Sequence, residues 1–395
     1  MCGVVKRYFL LVATCSLVLS GCWDRVEVND VAIVTAAAID KAENKDIELS
    51  IQVFIPRALS GGGAMQGGGL KSMTLVRTAK GENIADAMSK IQMKIPRMIF
   101  WGHCKAYIYG EDLAKEGIKE LVDYLARHPE PRNRAFMYVS KGKAVELLKV
   151  TPDLERYSAV VVHELSGLHV GMEVTLVQLL KMLMSSSKAA ILPIIDLLPP
   201  EDSKSPLEGI PYLFGSAVFK EGKMIGQLTE RATRGVMWVR NEIASTTVTV
   251  KAKNVKGFVS LHPIRETTKL FPVIENGKWK MLVKVETEGD LIQNGTNLNL
   301  VNPALMHIMQ VALGKDIEAR IKGTLHQAQH ELKADIFGFA TQFHRKYPKE
   351  FAQVKDRWEE VFPTIEVDME VSAFIKRPGL ATIPAGIPES EVKEK

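Results

Sequence analysis

The order of apolar and polar residues predicts a mixed α and β structure in the first half of the chain. Residues 31–39 form a nearly continuous apolar run that ends at Asp40, which is typical of a strand buried on both faces. Residues 47–54 alternate between apolar and polar side chains, which predicts a half-buried partner strand. A glycine-rich segment at 61–69 then predicts a flexible loop.

Helical and strand patterns alternate from there to about residue 183, which is typical of a layered domain with a mixed sheet. Apolar residues at spacings of three and four predict the helices, and runs of apolar and β-branched residues predict the strands. The predicted elements are helices at 84–91, 113–125 and 176–183, a helical turn at 144–148, and strands at 98–109 and 135–139.

A segment rich in proline, serine and charged residues at 198–206 predicts a linker. Beyond this linker the pattern shifts toward strands and then toward helices. Glu221-Gly222 and the turn at 275–277 are hairpin signals. The predicted elements are strands at 215–220, 223–228, 246–250, 271–274 and 278–285, a long helix from about Pro303 into the 330s, a second helical stretch at 337–362, and a closing strand at 365–371.

The whole pattern predicts a multidomain α+β protein with mixed and antiparallel sheets packed against helices. We expect an N-terminal α/β-like domain at 22–200 and an α+β domain with a long helix at 201–378. Residues 1–21 are expected to be removed as a signal peptide, and the proline-rich, charged tail at 379–395 is expected to be disordered.

The first residues have the pattern of a secretion signal. Lys6 and Arg7 precede a run at 8–19 that is apolar apart from two small hydroxyls, and it is shorter than the roughly 20 residues of a spanning helix. The exit, Leu19-Ser20-Gly21-Cys22, resembles the lipobox of bacterial lipoproteins, in which the cysteine receives a diacylglyceryl group and becomes the first residue. The alternative is an ordinary cleaved signal with an incidental cysteine. We expect lipidation of Cys22 and a stable membrane anchor.

The net charge argues against one class of partner, and the cysteine content limits disulfide formation. The net charge of +5 falls to +3 once Lys6 and Arg7 leave with the signal, and the remaining excess is scattered, which argues against nucleic-acid binding. Cys104 is then the one thiol left besides Cys22, so no internal disulfide is expected. No apolar run after Cys22 is long enough to span a bilayer.

The sequence contains no recognisable catalytic or metal-binding motif. His163 is followed by His169 six positions later, whereas the zinc protease motif needs a second histidine four positions later. His103 and Cys104 are neighbours in a predicted strand, so they should point to opposite faces and cannot pair as base and nucleophile. No Gly-x-Ser-x-Gly elbow occurs. We therefore expect no enzyme activity, no metal and no cofactor.

Four segments together carry a family resemblance. They are Gly21-Cys22-Trp23-Asp24 with the apolar run to Asp40, Arg97 to Lys105 with Phe100-Trp101-Gly102-His103, Leu213 to Phe219 with Gly222-Lys223 and Gly226, and Asp335 to Phe339 with Trp358. In this order they resemble the C-subunit family of bacterial spore germination receptors, the GerC-type lipoproteins. The glycine-rich insert at 61–69 departs from the family pattern, but it falls in a predicted loop.

The resemblance implies a non-catalytic subunit that is lipid-anchored to the outer face of the spore inner membrane. It also implies two integral membrane partners, the A- and B-type subunits, and a shared response to small germinants. Trp23 and Asp24 are candidate partner-facing residues because they adjoin the lipid, and tryptophan favours the membrane interface. Two alternatives remain: a solute-binding lipoprotein of a transporter, which would need two similar lobes, and a lipoprotein hydrolase, which the missing motifs disfavour.

Structural roles are expected for the other residues of these segments. Phe100 and Trp101 are more typical of core aromatics than of interface anchors, and His103 is more typical of a structural histidine than of a metal ligand. Gly338 is unfavourable inside a helix by about 1 kcal/mol, so it predicts a turn or a close packing contact in the Asp335–Phe339 segment.

Overall fold

The structure is a computed structural model that describes residues 30–55, 73–152, 154–198, 209–244, 246–379, 381 and 383–394, together with Arg7 and Glu27. The strands are β1 (Val31–Lys41), β2 (Ile47–Phe54), β3 (Thr74–Gly81), β4 (Met98–Phe100), β5 (Ala106–Gly110), β6 (Phe136–Ser140), β7 (Ala189–Leu198), β8 (Ile210–Lys220), β9 (Lys223–Thr229), β10 (Val248–Val250), β11 (Val259–Glu275), β12 (Lys278–Asn294) and β13 (Glu366–Arg377). The helices are α1 (Ile84–Gln92), α2 (Glu111–Glu116), α3 (Lys119–Arg127), α4 (Ala144–Lys149), α5 (Ser158–Gly167), α6 (Leu176–Leu183), α7 (Glu230–Arg240), α8 (Pro303–His326), α9 (Phe339–Lys346), α10 (Pro348–Ala352) and α11 (Trp358–Val361).

The larger sheet has the order β3-β2-β1-β5-β6-β7-β8-β9, with β4 beside the start of β1. Its central strands β1, β5, β6 and β7 run parallel, and the outer pairs are antiparallel. Ala36 and Ala38 of β1 pack under α4 and α5, whereas Ala37 and Ile39 join the main core on the opposite face. The predicted mixed sheet and the burial of β1 on both faces are therefore confirmed.

The second strand is more buried than its alternation predicted. Ser50 and Gln52 of β2 are fully buried, so the prediction of a half-buried strand was wrong. The amide nitrogen of Gln52 donates 2.9 Å hydrogen bonds to the carbonyl oxygen of Leu148 and the hydroxyl of Ser158. The face that carries the polar residues is covered because α4 and α5 pack on it, and the polar groups are satisfied there by hydrogen bonds.

The predicted strand at 98–109 is divided in the structure into β4 and β5. A turn separates them, and it is closed by a 2.9 Å hydrogen bond from the amide of Cys104 to the carbonyl of Trp101. His103 is exposed and Cys104 is buried, but both lie in this turn rather than in a strand. The strand prediction failed here because a local hydrogen bond closes a turn within the run, although β4 and β5 both run parallel to β1.

The predicted helix at 113–125 is also divided, into α2 and α3. Gly117 separates them with a φ of +143°, a conformation that side chains with a Cβ rarely adopt. The amide of Ile118 donates a 2.9 Å hydrogen bond to the carbonyl of Gly222 in the β8–β9 turn. The break therefore depends on a tertiary contact with a residue distant in sequence.

The first sheet continues past the predicted linker. β8 and β9 follow residue 200, and β8 pairs with β7, which precedes it, while β9 pairs with β8. The predicted domains at 22–200 and 201–378 therefore share a sheet and one apolar core. The predicted hairpin is confirmed, with left-handed backbone at Glu221 (φ 52°) and Gly222 (φ 83°). The residues from 199 to 208 and from 56 to 72, which include the predicted linker core and glycine-rich loop, lie outside the described ranges.

The smaller sheet has the order β10-β11-β12-β13, and its last pair is parallel. The predicted hairpin turn between β11 and β12 is present at Asn276 and Gly277. The predicted long helix is confirmed as α8, which ends in a π-helical segment at Gln327–Leu332. The predicted helix at 337–362 is instead three short helices and 3₁₀ turns, because Tyr347 before Pro348 cannot continue a helix.

The described part of the tail contacts the loop before α8. The amide of Asn299 donates to the carbonyl of Lys393, and the amide of Lys393 donates to the carbonyl of Asn297. The side chain of Asn302 donates a 2.7 Å hydrogen bond to the carbonyl of Glu394, and Val392 is buried. The predicted disorder at 379–395 does not hold for these residues. Asparagine side chains and an apolar contact hold them against the loop before α8.

The two halves of the described structure differ in architecture. The first is built on the large mixed sheet with helices on both faces, and the second on the four-stranded sheet with α8 and its neighbours on one face. They are not the two similar lobes that a solute-binding lipoprotein would need. Within the described ranges, no helix has both the length and the apolar character needed to cross a bilayer.

Candidate functional site

The residues that the sequence predicted to act at the membrane lie outside the described ranges. Cys22, Trp23 and Asp24 therefore keep their predicted roles only as predictions. The first sheet begins at Val31, nine residues after Cys22, and Val31 pairs with Met98 at the start of β4.

The aromatic segment of the resemblance forms a packed turn after β4. Trp101 is 2% exposed, and its ring stacks on Tyr107 with 6.0 Å between ring centroids. The amide of Trp101 donates a 2.9 Å hydrogen bond to the carboxylate of Glu130. A Cβ at Gly102 would lie 2.4 Å from the ring of Phe100, so this ring would have to move to admit any other residue. The expected core role of Trp101 is therefore confirmed, and His103 is exposed at the tip of the turn.

Asp40, at the end of β1, caps the N-terminus of α4. Its carboxylate is 4% exposed and accepts hydrogen bonds of 2.7 and 2.9 Å from the amides of Ala144 and Val145, the first residues of α4. Burial raises the pKa of Asp40, and these two amides oppose that shift. The Cβ of any residue larger than glycine at position 110 would lie 2.2 Å from the Asp40 carboxylate. Asp40 is therefore a structural group.

Asp335 caps α9 in the same way. Its carboxylate is 3% exposed and accepts hydrogen bonds from the amides of Gly338, Phe339 and Ala340 at 3.0, 3.0 and 2.7 Å. The indole nitrogen of Trp358 donates a fourth bond of 3.0 Å. Burial raises the pKa of Asp335, and these four donors oppose that shift. Gly338 has a φ of +83°, so the predicted turn at this glycine is confirmed.

The candidate nucleophile is poorly placed for chemistry. Burial raises the pKa of the Cys104 thiol to about 12, and its sulfur lies 3.5 Å from the carbonyl oxygen of Ala106. His163 packs beside Phe136, and burial lowers its pKa. The ring of His169 contacts the carboxylate of Glu173. Within the described ranges, no group of three or more acidic, histidine or cysteine side chains could hold a metal ion.

Two half-buried glutamates, Glu242 after α7 and Glu266 on β11, have carboxylate oxygens shielded from solvent. Both carboxylate oxygens of Glu266 and one oxygen of Glu242 have no hydrogen-bond partner of normal geometry among the described residues. Burial raises the pKa of Glu266 to about 8, the amide of Ile243 opposes this shift, and the carboxylate of Glu242 adds to it. The other oxygen of Glu242 accepts a 2.8 Å hydrogen bond from Arg240. The sequence offered no signal for this pair, because the two residues lie on separate elements.

An exposed aromatic patch lies where β7 and β8 pair near the linker. Tyr212 pairs with Asp196 across the two strands, and its ring meets Phe214 edge-on with 6.4 Å between centroids. The ammonium group of Lys141 lies 4.3 Å above the ring of Phe214 and also pairs with Asp196. Phe214 belongs to the third segment of the resemblance and is 37% exposed, so it is partly available to solvent.

The described residues form two clefts that are each large enough for a small ligand. The first cleft has a volume of about 1150 Å³ and lies between the start of α1, the helices α2 and α3, and the β8–β9 turn. Its walls mix acidic and basic groups, and several of these are already paired, such as Arg127 with Asp123 and Lys188 with Glu221. This cleft therefore has no dominant charge.

The second cleft has a volume of about 660 Å³ and joins the two halves of the chain. Its walls come from the end of α6, the end of α7, the middle of β11, and the segment from Asp335 into α9. Four basic side chains line it: Lys181, Arg240, Lys269 and Arg345. Sequence reasoning missed this cleft because its walls come from four segments that are far apart in the chain.

Comparisons with known proteins match nearly the whole chain. Residues 24–197 match the family described as "Spore germination protein N-terminal domain", and residues 214–379 match "Spore germination B3/ GerAC like, C-terminal". The chain belongs to the GerAC family of spore germination proteins. The resemblance that the sequence predicted is therefore confirmed.

Individual relatives agree with this assignment. The chain is 29% identical over 387 residues to spore germination protein KC of Bacillus subtilis, covering 93% of this chain and 94% of the relative. It is 24% identical over 379 residues to spore germination protein B3 of the same organism, covering 92% and 94%. The crystal structure of the GerBC protein matches with a TM-score of 0.56 at 19% identity, covering 86% of this chain and 97% of GerBC. The GerBC comparison supports the α+β fold.

Proposed function

We propose that this GerAC-family chain is a lipid-anchored, non-catalytic subunit of a nutrient germinant receptor in the spore inner membrane. The observation that carries the proposal is the family match, which begins at residue 24, two positions after the lipobox cysteine, and extends to residue 379. The relatives named above are spore germination proteins. A lipid on Cys22 would hold the folded body on the outer face of the membrane.

The side chains with potential for chemistry support a structural role. Cys104 is buried and its pKa is raised, so little of it is the reactive thiolate near neutral pH. The carboxylates of Asp40 and Asp335 accept hydrogen bonds from the first amides of α4 and α9. We infer that the protein acts by binding partners rather than by catalysis.

The partners that we propose are the two integral membrane subunits of the receptor, of A and B type. Trp23 and Asp24 adjoin the lipidated cysteine, so they would lie at the membrane surface where such subunits emerge. Replacing both with alanine should reduce recovery of the membrane subunits with this protein, while lipidation of Cys22 persists. Unchanged recovery would exclude these two residues from the interface.

The proposed function is tested by deleting the gene and restoring it in variant forms. Spores without the protein should fail to respond to specific nutrients, yet still germinate by a route that bypasses receptors. The Cys22→Ala variant should be released or misplaced and should restore the response poorly. Cys15→Ala is the matched control, because it removes a signal-peptide cysteine outside the lipobox and should restore the response fully.

Two results would contradict the proposal. Normal nutrient germination in the deletion strain, with no related gene to substitute, would remove the receptor role. If Cys22→Ala stays in the membrane fraction with full function, the partners alone hold the protein and the lipid is dispensable.

A further inference from the structure

We propose that the second cleft is a binding site for a small soluble polyanion, a compound with two or more carboxylate or phosphate groups. The inference does not depend on the proposed receptor role. It rests on the unpaired basic side chains of the cleft, on the internal hydrogen bonds of its acidic ones, and on its position between the two halves of the chain.

Three basic groups of the cleft have no acidic partner. Lys181 at the end of α6, Lys269 on β11 and Arg345 on α9 all line it and are all exposed. Among the described residues, none of the three lies within 4.0 Å of a carboxylate, whereas two of the four lysine and arginine side chains that line the first cleft, Arg127 and Lys220, are paired. Three basic side chains from three separate elements border one cleft, and a concave site concentrates their field.

The acidic groups of the same cleft do not cancel this charge. Glu242 is paired with Arg240 through a 2.8 Å hydrogen bond. The carboxylate of Asp335 faces four donors, the amides at the start of α9 and the indole of Trp358. Neither acidic side chain is exposed, whereas the three basic ones are, so the open part of the cleft is positive.

The neutral side chains of the cleft are suited to anionic oxygens. Thr341 and Gln342 line it and carry a hydroxyl and an amide donor, whereas the hydroxyls of Ser185 and Ser187 bond to Met182 and to each other. The carbonyl oxygen of Gln342 accepts a 2.7 Å hydrogen bond from Arg345, which leaves its amide nitrogen free to donate outward. A volume of about 660 Å³ is typical of small-molecule sites, which commonly lie between domains.

The number and spacing of the charges favour a polyanion over a membrane lipid. A phosphodiester headgroup carries one negative charge, whereas three separate basic groups are matched best by a ligand with two or three anionic groups. A ligand that touches α6 in one half and α9 in the other would also link the halves, so its binding should raise the thermal stability of the whole chain.

The test is calorimetric titration of the full lipidated chain, purified in detergent, with citrate and with inorganic pyrophosphate as probes. A short-chain phosphatidylglycerol below its micellar concentration serves as the lipid probe. The variant Lys181→Gln/Lys269→Gln/Arg345→Gln removes the three charges. Lys149→Gln/Lys253→Gln/Arg357→Gln is the matched control, since these exposed basic residues have no ion pair among the described residues and line neither cleft.

We expect saturable binding of at least one soluble probe, with a higher melting temperature in its presence. Affinity should fall by about tenfold or more in the cleft variant and remain unchanged in the control variant. Circular dichroism of each variant checks that the fold is retained, and single replacements of the three residues keep the test valid if the triple variant is unstable.

Three results would overturn the proposal. These are no saturable binding of either soluble probe, equal loss of affinity in the cleft and control variants, and binding of the lipid probe alone. The last result would assign the cleft to a headgroup instead of a soluble anion.

Discussion

The indole nitrogen of Trp358 donates a 3.0 Å hydrogen bond to the carboxylate of Asp335, a residue 23 positions earlier in the chain. This bond joins the two ends of the fourth family segment and closes the turn around Gly338. Trp358 also packs against the rings of Trp279, Phe343 and Phe351. The pair therefore links the cap of α9 to the aromatic core beside the smaller sheet.

Replacing Asp335 with asparagine should lower the free energy of unfolding by about 2 to 4 kcal/mol, because buried amides would lose a charged acceptor. Trp358→Phe should cost less, about 1 to 2 kcal/mol, since three of the four donors to Asp335 remain. Urea unfolding followed by circular dichroism would measure both. The double variant should cost less than the two single changes together, and strict additivity would show that the bond contributes little.

Glycine is needed at position 110 because the Asp40 carboxylate occupies the place where a Cβ would lie. The φ of Gly110 is −62°, so the backbone does not demand glycine, but a Cβ there would lie 2.2 Å from the Asp40 oxygen. Gly110→Ala should therefore displace the cap of α4 and lower the free energy of unfolding by about 2 to 4 kcal/mol.

The control for this prediction is Gly323→Ala, in α8. A Cβ at Gly323 meets no atom within 4 Å, so alanine should stabilise that helix by about 0.5 to 1 kcal/mol. Thermal unfolding of the two variants should thus shift in opposite directions. A neutral effect of Gly110→Ala would mean that the carboxylate moves aside at no cost.

The free energy of unfolding should depend on pH because the Glu266 carboxyl group changes its ionisation on unfolding. Burial raises its pKa from an ordinary value of 4.5 to about 8 in the folded protein. Between these values the folded state holds a proton that the unfolded state has lost, so stability falls as the pH rises. We expect a loss of about 1 to 3 kcal/mol between about pH 5 and pH 8 from this group.

Glu266→Gln should flatten this pH dependence, because the glutamine remains neutral throughout. Glu286→Gln is the matched control, since Glu286 is an exposed glutamate on the neighbouring strand β12. Urea midpoints measured across the pH range would separate the two variants. Identical pH profiles for Glu266→Gln and the original protein would remove the buried glutamate as the cause.

Labelling with a thiol reagent should test the state of Cys22 and Cys104, the two cysteines that follow the predicted signal peptide. The thiol of Cys104 is buried with a pKa near 12, so a thiol reagent at about pH 8 should leave the native mature protein unlabelled. In urea, one thiol should react, because the proposed lipid would block Cys22. Cys104→Ala should show no reactive thiol in either state. Two reactive thiols in urea would mean that Cys22 is bare.

The parts of the fold that the sequence predicts are those fixed by local patterns. The apolar run of β1 implied burial on both faces, and the hairpin at Glu221-Gly222 needed only its own turn residues. The α8 helix followed from its apolar spacing. In each case the deciding information lies within about 25 residues of chain.

The parts that the sequence missed depend on distant contacts. The burial of Gln52 requires Ser158, which lies 106 residues away. The turn after β4 is stabilised by Glu130, and the break before α3 by Gly222. Both clefts are likewise built from separate segments, so no local pattern indicates them.

The central claim is that Cys22 carries the lipid that places this GerAC-family protein on the spore membrane. Mass spectrometry of the N-terminal tryptic peptide, Cys22-Trp23-Asp24-Arg25, from protein isolated from spore membranes tests it most directly. The account predicts a peptide that begins at Cys22 and carries a diacylglyceryl group on sulfur. A bare Cys22 thiol, or a peptide in which Gly21 still precedes Cys22, would contradict it.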